Sequence, residues 1–100
     1  NGLADAGAFP PITLAFGTDL QISGNAGCND YFGAYKPDGG LIAIRVHGST
    51  EKYCSAPEGV MEMEQSYLLL LENTTRYSID RDELTLSYYD VRKLLVFRRL

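Results

Sequence analysis

The chain has 100 residues, of which 45% are hydrophobic and 22% charged, with a formal net charge of −4 at pH 7. This length makes a single domain with a small core, and the composition excludes a disordered chain. It also argues against a nucleic-acid footprint, because the one basic cluster, Arg92, Lys93, Arg98 and Arg99, is interrupted by apolar Leu94 to Phe97 and reads as a solvated strand end.

Asn1 to Pro11 is rich in Ala, Gly and Pro and reads as an extended lead-in with little structure of its own, ahead of a domain over 12–100. Ile12 to Phe16 alternates as a strand does, Gly17-Thr18-Asp19 is a turn, and Leu20-Gln21-Ile22 resumes the alternation, so a hairpin is expected. Gly24 and Gly27 interrupt the pattern, which makes Ser23 to Asp30 a shaped loop. Tyr31 to Tyr35 is a short strand, Lys36-Pro37-Asp38-Gly39-Gly40 a turn, and Leu41 to Val46 the strongest strand of this half. Ser55-Ala56-Pro57-Glu58 has the form of a capped helix start. Helical spacing of Val60, Met63, Tyr67, Leu70 and Leu71 predicts a buried face on a helix over about Ala56 to Asn73, with Glu58, Glu62, Gln65 and Glu72 on the other side. Arg76 to Ile79, Leu84 to Tyr88 and Leu94 to Phe97, joined by short connections, predict an antiparallel meander. The longest strongly apolar run, Tyr67 to Leu71, is far short of the about 20 residues that cross a bilayer as a helix. The start at Asn1 instead of Met suggests a mature or trimmed piece from which any leader or lipid anchor has been removed.

Two segments carry a longer pattern. The first runs Ile22-Ser23-Gly24-Asn25-Ala26-Gly27-Cys28-Asn29-Asp30-Tyr31-Phe32-Gly33-Ala34-Tyr35. The second runs Ser49-Thr50-Glu51-Lys52-Tyr53-Cys54-Ser55-Ala56-Pro57, with Glu64 and Tyr67-Leu68 following on the helix. This pattern resembles the META/HslJ family from Ile12 to Phe97. The resemblance implies an α+β fold, a strongly curved antiparallel sheet close to a small barrel, with one amphipathic helix inserted between strands. It also implies Gly24, Gly27, Asn29, Gly33 and Thr50 as structural motif residues, a secreted, periplasmic or lipid-anchored setting, and an association with stress or antibiotic tolerance. It supplies no reaction. Members of the family open with a further strand that often carries a Trp, whereas this chain has no Trp and no alternation in Asn1 to Pro11. Either that strand is lost or trimmed, or its place is filled by something else; a domain without it has an open sheet edge that invites self-association.

Cys28 and Cys54 sit at the centres of the two segments. They could form a disulfide, half of a metal site, a reactive thiol near His47, or two buried free thiols. Zinc wants four ligands, and only one His is present. Their number, their placement and the small core point to the disulfide, which by the loop-entropy model is worth roughly 3 kcal/mol. Asn29, in a glycine-rich loop, is expected to bond backbone groups that have no ladder partner. Adjacent Tyr88 and Tyr89 cannot both face inward on a regular strand, which makes them a candidate binding surface. No nucleophile elbow, phosphate-cradling loop or paired catalytic carboxylates are apparent, so neither an enzyme nor a cofactor or metal is expected. Two functions follow as expectations: a non-catalytic extracytoplasmic module that binds a protein or envelope component, and a small carrier holding an apolar ligand between helix and sheet.

Overall fold

The structure, a computed structural model, describes residues 2–5, 12–88 and 91–99. Its strands are β1 (Gly2–Asp5), β2 (Thr13–Phe16), β3 (Gln21–Asn25), β4 (Asp30–Asp38), β5 (Leu41–Ser49), β6 (Arg76–Asp80), β7 (Glu83–Tyr88) and β8 (Val91–Arg99), with helix α1 (Val60–Asn73) between β5 and β6. All neighbours pair antiparallel in chain order, and β1 closes the sheet into a barrel by pairing with both β2 and β8. The expected α+β fold, with a curved antiparallel sheet and one inserted helix, is the one observed.

Alternation along the strands fills the interior. Leu14, Ile22, Tyr31, Ile42, Ile44, Leu84, Leu86, Leu95 and Phe97 are buried and belong to one core. Burying each such side chain stabilises by roughly 1.5–3 kcal/mol. Curvature comes from register shifts at Phe32/Gly33 and at Leu86/Tyr88. It also needs glycine where strands touch: a Cβ at Gly33 would collide with the backbone carbonyl of Arg45, and one at Gly24 with that of Thr13. The ring is thinnest between β5 and β6, where Leu41 faces Arg76 and the backbone bonds are Ile42 N to Thr75 O and Tyr77 N to Gly40 O.

Several expectations are corrected. The missing opening strand is present: Gly2–Asp5 pairs with Thr13–Ala15 on one side and Phe97–Arg99 on the other, which removes the open edge and with it the ground for edge-strand self-association. A strand of this length leaves almost no side-chain pattern to read, and pairing with two exposed backbones needs none. The loop expected over Ser23 to Asp30 is shorter, because β3 runs to Asn25 and β4 starts at Asp30. The Ser55 capping box does not form. α1 starts at Val60, behind Gly59 with φ 84°, and has no side-chain cap. On α1 the buried residues are Val60, Glu64, Tyr67 and Leu71, while Met63 and Leu70 pack only partly buried against the core. Glu58, Glu62, Gln65 and Glu72 are exposed, as the helical spacing required.

Strand order assigns the two barrel ends. The β3–β4 loop, the segment of residues 50–59 and α1 gather at one end. The β2–β3, β4–β5 and β6–β7 hairpin tips gather at the other, together with the end of β8.

Candidate functional site

At the α1 end the two motif segments meet. Cys28 and Cys54 are joined by a disulfide with a Cα–Cα distance of 6.0 Å. Next to it lies the side chain of Glu64, only 5% exposed. Its Oε1 accepts from the backbone N–H groups of Cys28 at 3.0 Å and Asn29 at 2.6 Å, and its Oε2 accepts from Asn29 Nδ2 at 2.8 Å. Consecutive N–H groups converging on one oxygen make an anion nest. The chain fills that nest with its own carboxylate.

Asn29 does the work of a strand for residues 50–52. Its Oδ1 accepts from Lys52 N at 2.7 Å and Thr50 Oγ1 at 2.8 Å, and its Nδ2 donates to Lys52 O at 3.1 Å. A side-chain amide thus pairs with a backbone amide that has no ladder neighbour, the role expected of it. Thr50 adds backbone N–H to Asp30 O at 2.9 Å, and its Oγ1 accepts from Asp30 N at 3.1 Å. Asn25 Oδ1 accepts from Gly27 N at 2.8 Å and holds the loop, where Gly27 has φ +118° and lies against Val60 and Met63. Among the described residues no buried side-chain nitrogen or oxygen lacks a partner.

Below this layer Tyr31 OH donates to Thr13 O at 2.7 Å and shares a 2.6 Å hydrogen bond with Tyr67 OH. Burial pushes the Tyr31 phenol well above its usual value, and the bond from Tyr67 offsets part of that shift. Tyr67 meets Tyr31 and Phe97 edge-on, with ring centroids 5.6 and 6.2 Å apart. The space between α1 and the sheet, where an apolar ligand was expected, is thus occupied by Tyr31, Tyr67, Leu71 and Phe97, all buried.

The opposite end is concave and apolar. A cleft of about 280 Å³ is lined by Phe16, Tyr35, Pro37, Ile42, Tyr77, Ile79 and Leu84. Phe16 and Tyr35 meet edge-on at 4.8 Å. A second cleft of about 210 Å³ shares Phe16, Ile79 and Leu84 with the first and adds Arg81, Asp82, Glu83 and Arg99. Ile79 is 67% exposed on the shared wall. None of these lining residues comes from α1.

The structure therefore brings together Cys28, Cys54, Asn29, Thr50, Gly24 and Gly27 near the α1 end, with Gly33 farther along β4. Tyr88 is 39% exposed at the α1 end of β7, away from the apolar clefts, and Tyr89 lies outside the described residues. His47 is exposed on β5. Among the described residues no three His, Cys, Asp or Glu side chains are grouped as metal ligands would be, and no helix is long and apolar enough to cross a membrane. Sequence reasoning missed two features. Glu64 was visible only as a motif position, and a carboxylate at a core-facing helical spacing was its signal. The apolar mouth had no signal, because its residues are scattered from Phe16 to Leu84.

Comparison with known proteins agrees with this architecture. The family model of the META domain matches residues 3–99. A protein from Burkholderia xenovorans, with a structure determined by NMR, aligns over 100% of this chain and 78% of its own at 26% identity and a TM-score of 0.74. A second NMR structure aligns over 97% of this chain and 86% of its own at 18% identity and a TM-score of 0.70. The crystal structure of a DUF4847 family protein from Bacteroides vulgatus ATCC 8482 aligns over 89% of this chain at 16% identity and a TM-score of 0.71, and the alignment spans 59% of that protein's length. No curated protein matches the sequence.

Proposed function

Given that this chain belongs to the META domain family, we propose that it is a non-catalytic, extracytoplasmic binding module of the cell envelope, and that it binds through the open end of its barrel. The observation that carries this reading is the apolar cleft of about 280 Å³ at that end, with Ile79 67% exposed on its wall. Small apolar cavities with a few convergent polar groups are where ligands bind. The carrier function expected between helix and sheet moves to the mouth, because the helix side is filled.

Two further points support the proposal. The polar constellation that draws the eye in the sequence is spent on structure: Glu64, Asn29 and Thr50 bond backbone groups, and both cysteines are in the disulfide. A disulfide in a small domain also suits an oxidising compartment, where envelope maintenance and stress tolerance are exerted.

The test is titration with Nile red, a neutral apolar dye. The wild-type protein should enhance its fluorescence saturably, and Ile79→Asp should weaken the binding while leaving the melting temperature unchanged, because the residue is exposed. Equal enhancement by both proteins, or none by either, overturns the mouth as the binding site.

A further inference from the structure

We propose that the strap of residues 50–58 is a protease-inhibitory loop. It enters the substrate cleft of a serine protease in extended form, with Tyr53 in a specificity pocket shaped for an aromatic side chain. The strap lies at the α1 end and is independent of the apolar mouth.

The strap is open to a partner. Glu51, Lys52, Tyr53 and Ser55 to Glu58 are exposed, and residues 51–56 belong to no helix, strand or turn. Tyr53, at 80%, is the most exposed large apolar side chain among the described residues. A ring left in water adds nothing to the core, whereas aromatic anchors dominate the energy of interfaces.

Backbone bonding alternates along the strap. Thr50 N–H donates to Asp30 O at 2.9 Å, and both backbone groups of Lys52 are held by the Asn29 side chain, at 2.7 and 3.1 Å. Among the described residues no hydrogen bond reaches the backbone of Glu51, Tyr53 or Ser55. Thr50 and Lys52 thus face the barrel, and Glu51 and Tyr53 keep their N–H and C=O groups for a partner, the spacing of an edge strand. A protease grips a substrate in that way, by main-chain bonds to alternate residues and one side chain in a pocket.

The anchoring distinguishes an inhibitor from a substrate. Both flanks of the Tyr53–Cys54 bond hang from adjacent residues of one loop: Cys54 is joined to Cys28 by the disulfide, and Lys52 is held by Asn29. The N–H groups of Cys28 and Asn29 are fixed in turn on buried Glu64. When the protease serine attacks the Tyr53 carbonyl, the bond to the Cys54 nitrogen breaks, and that nitrogen leaves as an amine with a proton from the protease histidine. The disulfide keeps the amine beside the acyl-enzyme, so rejoining of the bond competes with attack by water. A strap already held in place also loses little freedom on docking.

The test uses chymotrypsin, whose pocket takes aromatic side chains, and trypsin, whose pocket carries an aspartate and takes basic ones. Hydrolysis of a small chromogenic substrate is followed with the wild type, Tyr53→Ala and Tyr53→Lys. The side chain is exposed, so the three melting temperatures should agree. The wild type should inhibit chymotrypsin competitively and leave trypsin active. Tyr53→Ala should weaken the inhibition about 30-fold or more, the size of a hot-spot loss. Tyr53→Lys should transfer it to trypsin. Mass spectrometry of the equilibrated mixture should show intact chains together with chains that have gained one water at Tyr53–Cys54 and are still joined by the disulfide. Absence of chymotrypsin inhibition overturns the proposal, as does complete cleavage at Tyr53–Cys54 with no inhibition, the behaviour of a plain substrate. Inhibition unchanged in Tyr53→Ala, or equal inhibition of trypsin by the wild type, overturns Tyr53 as the anchor.

Discussion

The two ends of the barrel are built from the same hairpin architecture but closed by opposite means. At the α1 end a helix, a disulfide and a carboxylate in an anion nest cover the core, and the polar groups there are tied to backbone. At the hairpin end no described residue covers it: Phe16, Tyr35, Tyr77 and Leu84 line a cleft, and Leu20, Leu41 and Ile79 are exposed. The bonded polar cluster and the apolar cleft are thus separated along the barrel axis. The polar cluster deep in this small protein marks the part that holds the fold, and the proposed ligand-binding role falls to the other end.

The comparison breaks most severely if the disulfide is removed. Cys28→Ser/Cys54→Ser opens a loop with a sequence separation of 26. It should cost about 3.5 kcal/mol by the loop-entropy model, measured by urea unfolding. An unfolding free energy close to wild type would show that the Glu64 and Asn29 bonds alone hold this end.

Glu64→Gln keeps the shape but replaces one acceptor oxygen with an NH2 group. Asn29 cannot turn its amide to compensate, because its Oδ1 already accepts from Lys52 and Thr50. The expected cost is about 1–3 kcal/mol, with loss of amide-exchange protection confined to Cys28, Asn29 and their neighbours. Uniform loss across β6 to β8 would deny the independence of the two ends.

Tyr31→Phe removes the bond to Thr13 O and the one shared with Tyr67, at about 1–1.5 kcal/mol. It also sharpens the linkage to pH. The buried phenol is raised in the folded state above its ordinary value of 10.0. Its contribution is therefore complete below the unfolded-state value and is lost as pH climbs above it. Stability should fall above about pH 10 in the wild type and fall less steeply in Tyr31→Phe, as read by unfolding at a series of alkaline pH values.

The smallest effect lies at the open end. Leu20 has φ 60° and is 48% exposed at the β2–β3 tip, next to Asp19 at φ 58°. A bulky residue is strained there, and Leu20→Gly should stabilise by about 0.5–1 kcal/mol in thermal unfolding. A destabilised variant would mean that the Leu20 side chain covers part of the mouth.

The secondary structure was legible wherever local chemistry governed it. Strands β5 and β7 announce themselves by alternating Ile42 and Ile44, and Leu84 and Leu86, which the structure buries. The β6–β7–β8 meander follows from short connections. Asn29 was assigned its backbone-bonding role from residue type and glycine context alone. β1 was not legible, because Gly2–Asp5 is recruited by the open backbones of β2 and β8. The helix start was misplaced for a related reason. The Cys54 disulfide and the Asn29 bonds to Thr50 and Lys52 hold the preceding segment extended, and the chain turns into α1 only at Gly59.

By itself, then, the sequence determined the family, the class of fold and the strand and helix periodicities, since each is encoded in neighbouring residues or in a short spaced motif; it pointed to the pairing of its two cysteines, which the structure joins. Tertiary structure alone decided which barrel end is sealed, where Glu64 finds its donors, and that Phe16, Tyr35, Tyr77 and Leu84 meet around one apolar cleft. Those outcomes depend on strands far apart in the chain closing into one ring. No local pattern can carry a distance that exists only after the ring has closed.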